Sequence, residues 1–243
     1  MKKREPETPK RPKAPQAPAR GFRQLQRGLT GERTLIGASY MDDPSLLRAY
    51  LDFYWPISFE QTRRALAVTA LLAGKPLNAR RILDVGSGPG PVAAAFAASG
   101  AAELTLLDQS ARALELARSV IPARVAERRA AAGADSGAGA GAATAAALTI
   151  STVTMDIAFP EAANIPPWGN ADCVSFGHSL NEVAAGSSDR VAIRARLLKK
   201  YAEALAPGGT ILVVEPALLS TSRDLIAVRN LLVSDGWRVL APC

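Results

Sequence analysis

The sequence predicts an α/β fold in which a doubly wound, mostly parallel sheet follows an N-terminal helical extension. Two observations support this prediction. From Arg81 onward, short runs of β-branched and aliphatic residues alternate with helical segments, which is typical of a parallel sheet covered by helices. The first of these runs ends in a glycine-rich turn that leads into a helix. With 243 residues, 48% of them hydrophobic, the chain can bury a sizeable core.

Basic residues and prolines dominate the first 27 residues. Nine Lys or Arg and two Glu there account for the whole formal net charge of +7, so the rest of the chain is neutral. Prolines recur at every third position from Pro6 to Pro18, and large apolar residues are scarce. Such a segment buries too little surface to offset its ordering entropy, so we predict a disordered basic tail over residues 1–27. The tail suits a nucleic-acid phosphate backbone, or it is a solubilising extension without a partner.

Residues 28–78 are predicted to form a helical cap in front of the sheet. Asp43 can cap a helix that runs up to Pro56, since proline interrupts the helical hydrogen-bond pattern. Ser58 and Gln61 have the spacing of a capping box, which predicts the start of a second helix.

Residues 79–243 are predicted to form the sheet domain. Within it we place strands near 81–85, 103–107, 149–155, 171–176 and 209–215, and helices near 90–99, 110–119, 188–205 and 221–233. An Ala/Gly tract at 126–147 has no hydrophobic periodicity, so we interpret it as a flexible insertion.

The turn after the first predicted strand contains Gly86, Gly88 and Gly90, and Pro91 then opens a helix. Glycines at such a turn let the backbone approach a ligand closely, and the helix start presents unpaired N–H groups. The dinucleotide pattern G-x-G-x-x-G would need glycine in place of Pro91, and the G-K-[ST] of phosphate loops is absent from the sequence. A dinucleotide and a nucleoside triphosphate are therefore both disfavoured as ligands.

The stretch DVGSGPG resembles motif I, D-x-G-x-G-x-G, of the class I S-adenosylmethionine-dependent methyltransferases, which have a Rossmann-like fold. The resemblance implies S-adenosylmethionine as cofactor. In such enzymes an acid ends the next strand and accepts hydrogen bonds from the ribose hydroxyls, and Asp108 in LTLLDQS stands at this place. The cofactor-binding residues implied by these two motifs are Asp84, Gly86, Ser87, Gly88, Gly90 and Asp108.

Two further cofactor positions follow from the resemblance. Asp156 in TVTMDIAF ends the third predicted strand, where these enzymes commonly place an acid near the adenine amine. His178, the only histidine, follows the fourth strand and would lie beside the sulfonium. It could act as a general base, form an aromatic wall or hydrogen-bond backbone. The sequence assigns no catalytic side chain, because alignment and desolvation alone can carry methyl transfer to a neutral amine.

Three stretches together resemble a narrower family, the methyltransferase-like small-ribosomal-subunit assembly proteins of mitochondria and bacteria. They are AYLDFYWPISFEQTRRAL at 49–66, HSLNEV at 178–183 and LAPGGTILVVEPALLSTSRDLIAVRNLLVSDGWRVLAPC at 205–243. This resemblance implies small-subunit ribosomal RNA or the ribosomal subunit as partner, and no DNA partner is expected.

In that narrower family the final Ala-Pro-Cys continues into further cysteines, which bind an iron–sulfur cluster in some members, and into the closing strands. The resemblance implies that this chain is truncated before the cysteine cluster and the last strand. A sixth strand at 237–242 would then form an exposed edge. Cys243 would be a possible remnant iron–sulfur ligand, without a complete metal site.

Cysteine content and hydropathy indicate the cellular compartment in which we expect the protein. The chain has only two cysteines, so a disulfide framework is excluded, and Cys173 inside the fourth predicted strand is interpreted as a core residue. The sequence contains neither an apolar run of membrane-spanning length nor the apolar segment of a secretory signal. We therefore expect a cytoplasmic protein with no membrane partner.

The main hypothesis from the sequence is a methyltransferase, or a methyltransferase-like factor, that acts on small-subunit ribosomal RNA or its assembly. Two alternatives remain open. One is a small-molecule methyltransferase for which the basic tail is incidental. The other is a non-catalytic ribosome assembly scaffold, which the absence of the N-P-P-Y type motif of amino-base methyltransferases would permit.

Overall fold

The computed structural model describes residues 16–32, 34–35, 40–136, 147–159 and 170–241. The strands are β1 Arg81–Val85, β2 Glu103–Asp108, β3 Thr149–Thr154, β4 Ala171–Gly177 and β5 Leu205–Val214. The helices are α1 Gln16–Gln26, α2 Pro44–Ala49, α3 Trp55–Ala73, α4 Pro91–Ala98, α5 Ala111–Ser136, α6 Arg190–Ala202 and α7 Leu219–Ser234. In the ranges described, no helix combines the length and the apolar character needed to cross a membrane.

The five strands form one parallel sheet in the order β3-β2-β1-β4-β5. The strand order reverses between β1 and β4, and open α/β sheets bind ligands outside the carboxyl ends of the strands at such a point. The predicted doubly wound, Rossmann-like α/β fold is confirmed.

The expected sixth strand is not formed by the described residues after α7. The N–H of Trp237 donates to the carbonyl oxygen of Leu232 at 3.0 Å, and its side chain packs against the core beside α6 and α7. Gly236, with φ +89°, makes this turn possible. The chain therefore leaves α7 through a capped turn, and residues 237–241 form no strand where the prediction placed an edge strand.

Helices cover both faces of the sheet, and the side chains of β1 alternate between them. Ile82 packs with α4 and α5, whereas Leu83 and Val85 pack with α6 and α7. The alanines of α4 between Ala93 and Ala97 are fully buried, so this helix lies close against the sheet. Cys173 of β4 is fully buried, which confirms its interpretation as a core residue, and burial raises the pKa of its thiol to about 12.

Helix α1 occupies part of the segment that we predicted to be disordered. Leu25 is fully buried, and the rings of Phe22 and Phe53 pack with their centroids 4.4 Å apart. These two apolar contacts anchor the helix to the protein, and residues 16–26 of the predicted tail are described as helix. Residues 1–15 lie outside the described ranges.

Helices α2 and α3 follow one another almost without interruption. Asp43 caps α2 as predicted, because its carboxylate accepts two N–H groups of the first turn. The predicted stop at Pro56 and the predicted capping box at Ser58 are wrong. A π-helical turn at Tyr50–Tyr54 connects the two helices, and Pro56 lies in the first turn of α3, where its missing N–H is not needed.

Helix α5 continues through the first part of the predicted Ala/Gly insertion. It ends at Ser136 instead of near residue 119, because its alanine-rich sequence has high helix propensity. Residues 126–136, within the segment that we predicted to be a flexible insertion, are therefore helical. Residues 137–146 lie outside the described part of the chain.

Candidate functional site

A cavity of about 440 Å³ lies at the carboxyl ends of the strands, where the strand order reverses. Its size is within the range of small-molecule binding sites. The loop after β1 and the ends of β2 and β3 form one side, and the loops after β4 and β5 form the other. Residues before α2 and the beginning of α3 close the cavity, so the N-terminal helical segment is part of the site.

The three glycines of the loop after β1 all have positive φ, but they differ in what surrounds them. A Cβ on Gly86 would lie 2.4 Å from the Cβ of Ser179, and one on Gly90 would lie 2.5 Å from the Cδ1 of Ile121. A Cβ on Gly88 would meet only Met41, at 3.5 Å. Gly86 and Gly90 thus permit close packing, whereas Gly88 leaves space on the cavity side.

This loop is held from two directions. The N–H groups of Gly86 and Ser87 both donate to the carbonyl oxygen of Leu107, at 2.8 and 2.9 Å. From the other direction, the buried Nε1 of Trp55 donates to the carbonyl oxygen of Pro89 at 3.0 Å. The loop is therefore fixed both to strand β2 and to the start of α3.

Asp84 is fully buried beneath the loop and does not line the cavity. Its carboxylate accepts the hydroxyl of Ser175 at 2.7 Å and the N–H of Ala93 at 3.2 Å. Burial raises the pKa of Asp84 to about 7. This carboxyl group connects β1, β4 and the first turn of α4, so it supports the loop from behind.

Asp108 lines the cavity at the end of β2. One carboxylate oxygen accepts the N–H of Gly88 at 2.7 Å, and the other accepts the N–H of Ser110 at 2.8 Å. Burial raises the pKa of Asp108. Because each carboxylate oxygen can accept two hydrogen bonds, Asp108 can hold the glycine loop and also accept hydrogen bonds from ligand hydroxyl groups.

Asp156 and His178 lie on different sides of the cavity. Asp156 is exposed at the end of β3. His178 has φ +62°, its N–H donates to the carbonyl oxygen of Val214 at 2.7 Å, and its Nε2 lies 3.1 Å from Oε1 of Gln61. Burial lowers the pKa of His178 to about 4, so the imidazole is neutral at physiological pH.

The structure thus brings most of the predicted cofactor residues to one cavity and places two outside its lining. Those that line the cavity are Gly86, Ser87, Gly88, Asp108, Asp156 and His178. Asp84 lies behind the glycine loop, Gly90 ends the loop at the start of α4 without lining the cavity, and Cys243 lies outside the described residues. Among the residues described, no cluster of three or more His, Cys, Asp or Glu is arranged to hold a metal ion.

Sequence reasoning missed the residues that close the cavity. They come from the segment before α2 and from the helices that follow it: Tyr40, Met41, Tyr50, Ile57 and Gln61. The Asp42 carboxylate accepts the Ser110 hydroxyl at 2.6 Å and so fastens this segment beside Asp108. No local pattern marks these positions, because each reaches the cavity only through tertiary packing.

A family model described as a methyltransferase domain matches residues 58–242. Comparison with curated protein sequences gives no significant match. None of the comparisons supports the narrower resemblance to ribosomal-subunit assembly proteins.

Several solved structures are similar to this chain. The plantazolicin methyltransferase BpumL in complex with SAH is 14% identical over 87% of this chain and 66% of that chain, with a TM-score of 0.49. The mitomycin 7-O-methyltransferase MmcR is 20% identical over 88% of this chain and 55% of that chain, with a TM-score of 0.47. A SAM-dependent methyltransferase from Leishmania major is 15% identical over 88% of this chain and 73% of that chain, with a TM-score of 0.45. The chain spans about half to two thirds of the length of the first two structures.

Proposed function

The chain belongs to the methyltransferase domain family, and we propose that it methylates a small, partly apolar organic acceptor. Its cofactor is S-adenosylmethionine, whose sulfonium supplies the methyl group as an electrophile. Our proposal concerns the class of molecule that accepts the methyl group.

The cavity residues fit this cofactor. Gly88 leaves space for a ligand against the loop backbone, and Asp108 beside it presents a carboxylate to ribose hydroxyls. Asp156 is placed to accept a hydrogen bond from the adenine amine at the end of the next strand. The cavity volume of about 440 Å³ is adequate for a ligand of nucleoside size together with an acceptor group.

Apolar side chains line a large part of the cavity, and this lining supports a small organic acceptor. The N-terminal segment, α3 and the loop after β5 contribute Leu29, Tyr40, Met41, Tyr50, Tyr54, Ile57 and Leu218 to its lining. Apolar walls of this kind can contact a small organic molecule over much of its surface. A large folded partner would reach the interior only through a segment small enough to enter.

The chain's own residues would contribute by orienting the acceptor. Neutral His178, beside Gln61, can hydrogen-bond an acceptor hydroxyl or amine. A general base is most effective when its pKa lies near the working pH, and the pKa of His178 is far below it. We therefore assign His178 an orienting role. A hydroxyl or thiol acceptor would lose its proton to bulk water before it binds, and a methylated amine would lose its proton to bulk water after release.

The test is release of S-adenosylhomocysteine in the presence of a panel of small phenols, amines and thiols. Ile57→Trp, which fills the cavity side of α3, is expected to reduce turnover at least tenfold while S-adenosylhomocysteine still binds. Val68→Trp is the matched control, since Val68 is exposed on the same helix and does not line the cavity. Turnover that is insensitive to Ile57→Trp would contradict a small acceptor bound in this cavity.

A second candidate function, methylation of RNA, is favoured by a basic surface on α1 and the turn after it. Arg20, Arg23 and Arg27 line a second cavity of about 490 Å³, with Glu32 also in its lining. The opposite side of α1 is buried through Leu25, so the arginines face outward from an anchored helix. Such an arrangement suits contacts with a phosphate backbone.

RNA binding separates this candidate from the first. Replacing Arg20, Arg23 and Arg27 together by Gln is expected to weaken binding of a short labelled single-stranded RNA. It should also reduce the slope of log affinity against log salt by about 2, because each phosphate contact on a single strand contributes about 0.7. The control is a second triple variant in which Arg223, Arg229 and Arg238 are replaced by Gln, so that the same amount of charge is lost. Equal effects of both triple variants would reject the α1 surface as an RNA site.

The non-catalytic scaffold makes a different prediction from both candidates. A scaffold would bind S-adenosylhomocysteine and release none from S-adenosylmethionine with either acceptor class. Methyl transfer to any member of the small-molecule panel or to RNA would exclude it.

A further inference from the structure

The loop after β4, residues 177–184, has a backbone that its own sequence does not favour. His178 has φ +62° and Ala184 has φ +52°, although neither is glycine. Both residues line the cavity. Non-glycine residues remain in this region only where the surrounding structure holds them there. Something outside the loop must therefore maintain its shape.

Arg194 of α6 is placed to do this from behind the loop. Its side chain is only 4% exposed. The guanidinium donates from Nε to the carbonyl oxygen of Val183 at 2.9 Å and from Nη2 to that of Asn181 at 2.7 Å. Its Nη1 donates to Oδ2 of Asp224 on α7 at 2.9 Å. A rigid, planar guanidinium thus fixes two loop carbonyls relative to two helices.

Asn181 connects this anchored part of the loop to Glu215 and to the backbone of His178. Its backbone N–H donates to Oε1 of Glu215 at 3.0 Å, and its Nδ2 donates to Oε2 of the same carboxylate at 2.6 Å. The same Nδ2 also donates to the carbonyl oxygen of His178 at 2.8 Å. A continuous set of hydrogen bonds therefore connects Asp224, through Arg194 and Asn181, to the backbone of His178.

We propose that Arg194 is a positioning residue that holds the loop after β4 in the conformation that shapes the cofactor and acceptor cavity. Arg194 does not itself line the cavity and acts through the carbonyls of Asn181 and Val183. Without the guanidinium, the loop relaxes away from positive φ and His178 moves toward solvent. This inference rests on the proposed function in that the loop bounds the S-adenosylmethionine site.

The test compares Arg194→Gln with Arg190→Gln. Arg190 binds the same Asp224, at 2.7 and 3.0 Å, but its side chain is 36% exposed, and its bond to the carbonyl oxygen of Ser187 at 3.3 Å lies beyond the loop. Both variants lose one positive charge beside one carboxylate. Only Arg194→Gln removes the donors to Asn181 and Val183.

The first readout is the pKa of His178, measured by NMR in the ligand-free protein, where the only histidine gives an unambiguous signal. We expect Arg194→Gln to raise this pKa from about 4 toward its ordinary value of 6.5, because the imidazole becomes better solvated. The second readout is the affinity for S-adenosylhomocysteine, which we expect to fall at least tenfold. Arg190→Gln should change neither.

Two further variants keep the test decisive. Leu104→Ala, in the core on the opposite face of the sheet, controls for loss of global stability. Arg194→Lys keeps the charge but lacks the planar guanidinium, and it replaces Arg194→Gln if that variant does not fold.

An unchanged His178 pKa in a folded Arg194 variant would overturn the proposal, as would an equal shift in Leu104→Ala. Failure of the wild-type protein to bind S-adenosylhomocysteine would instead contradict the proposed function, and the His178 measurement would still test the loop.

Discussion

The loops after β1 and β4 both place residues with positive φ at the same cavity. Different residue types adopt this conformation in the two loops. The loop after β1 places glycine at every position of positive φ, whereas the loop after β4 places His178 and Ala184 there. The two loops touch each other, because the hydroxyl of Ser179 donates to the carbonyl oxygen of Val85 at 2.7 Å and Gly86 packs against Ser179.

The contacts that hold the two loops differ as well. The first loop is held mainly by the end of the neighbouring strand, through Leu107 and Asp108. The second depends on side chains of α6 and of the segment after β5, namely Arg194 and Glu215. One side of the cavity is therefore shaped by glycines and the adjoining strand, whereas the facing side is shaped by side chains of α6 and of the segment after β5.

The largest effect is expected from Gly86→Ala, which disturbs the contact between the loops. The residue has φ +69°, and the new Cβ would overlap Ser179. Left-handed backbone costs a non-glycine residue about 1–2 kcal/mol, and overpacking adds about 1–3 kcal/mol. Chemical denaturation is expected to show a loss of about 4 kcal/mol in the free energy of unfolding.

Gly74→Ala is the matched control for this experiment. Gly74 has φ +67°, almost the same value, and no atom lies within 4 Å of the position that a Cβ would take there. It should therefore show only the backbone cost of about 1–2 kcal/mol. Equal losses at the two positions would mean that the contact with Ser179 does not constrain the loops.

A smaller effect, and one that varies with pH, is expected at Asp84. Its pKa is raised from 3.8 to about 7, so between these values the folded state keeps a proton that the unfolded chain releases. The stabilisation is fully present below about pH 4 and is lost as the pH rises through 7. Because each pKa unit corresponds to about 1.4 kcal/mol, the loss between pH 4 and pH 8 is about 3–4 kcal/mol.

The comparison with Asp84→Asn isolates this titration. Glu215, with its pKa raised to about 7, acts in the same direction, whereas His178, with its pKa lowered to about 4, acts in the opposite one. Both remain in the variant, so they cancel in the difference. Urea denaturation between pH 4 and pH 8 should show wild-type stability falling relative to the variant. A constant difference would contradict the buried, protonated carboxyl group.

The smallest effect is expected from Trp55→Phe. The substitution removes the hydrogen bond to the carbonyl oxygen of Pro89 but leaves the bonds from Gly86 and Ser87 to Leu107 in place. A loss of about 1–3 kcal/mol in the free energy of unfolding is expected, because a buried carbonyl oxygen is left unpaired, with unchanged affinity for S-adenosylhomocysteine. A large loss of affinity would show that the first loop also depends on distant contacts.

The sequence predicts the loop after β1 better than the loop after β4. The glycine loop and Asp108 could be predicted, because a strand, its turn and the acid on the next strand form a local pattern. The motif did not reveal that Asp84 faces inward toward Ser175, since that depends on the pairing of β1 with β4. Arg194 could not be found, because its partners meet only when α6 packs behind the loop.

The helices show the limits of composition as a guide. The first 27 residues read as a disordered basic tail, yet Phe22 and Leu25 suffice to anchor α1. The alanine-rich tract read as a flexible insertion, yet α5 continues to Ser136 because alanine favours helix wherever no stronger signal ends it. In the first segment two apolar residues outweigh the average character of the stretch, whereas in the second the abundant alanine itself favours helix.

In the proposed function, the cavity at the carboxyl ends of the strands binds S-adenosylmethionine through the glycine loop and Asp108. Calorimetric titration of wild type, Asp108→Ala and Glu103→Ala with S-adenosylhomocysteine measures this binding. Glu103 lies exposed at the other end of the same strand and controls for loss of a carboxylate from β2. We predict binding by wild type and Glu103→Ala and loss of binding by a folded Asp108→Ala. Equal affinity in all three proteins would contradict the account.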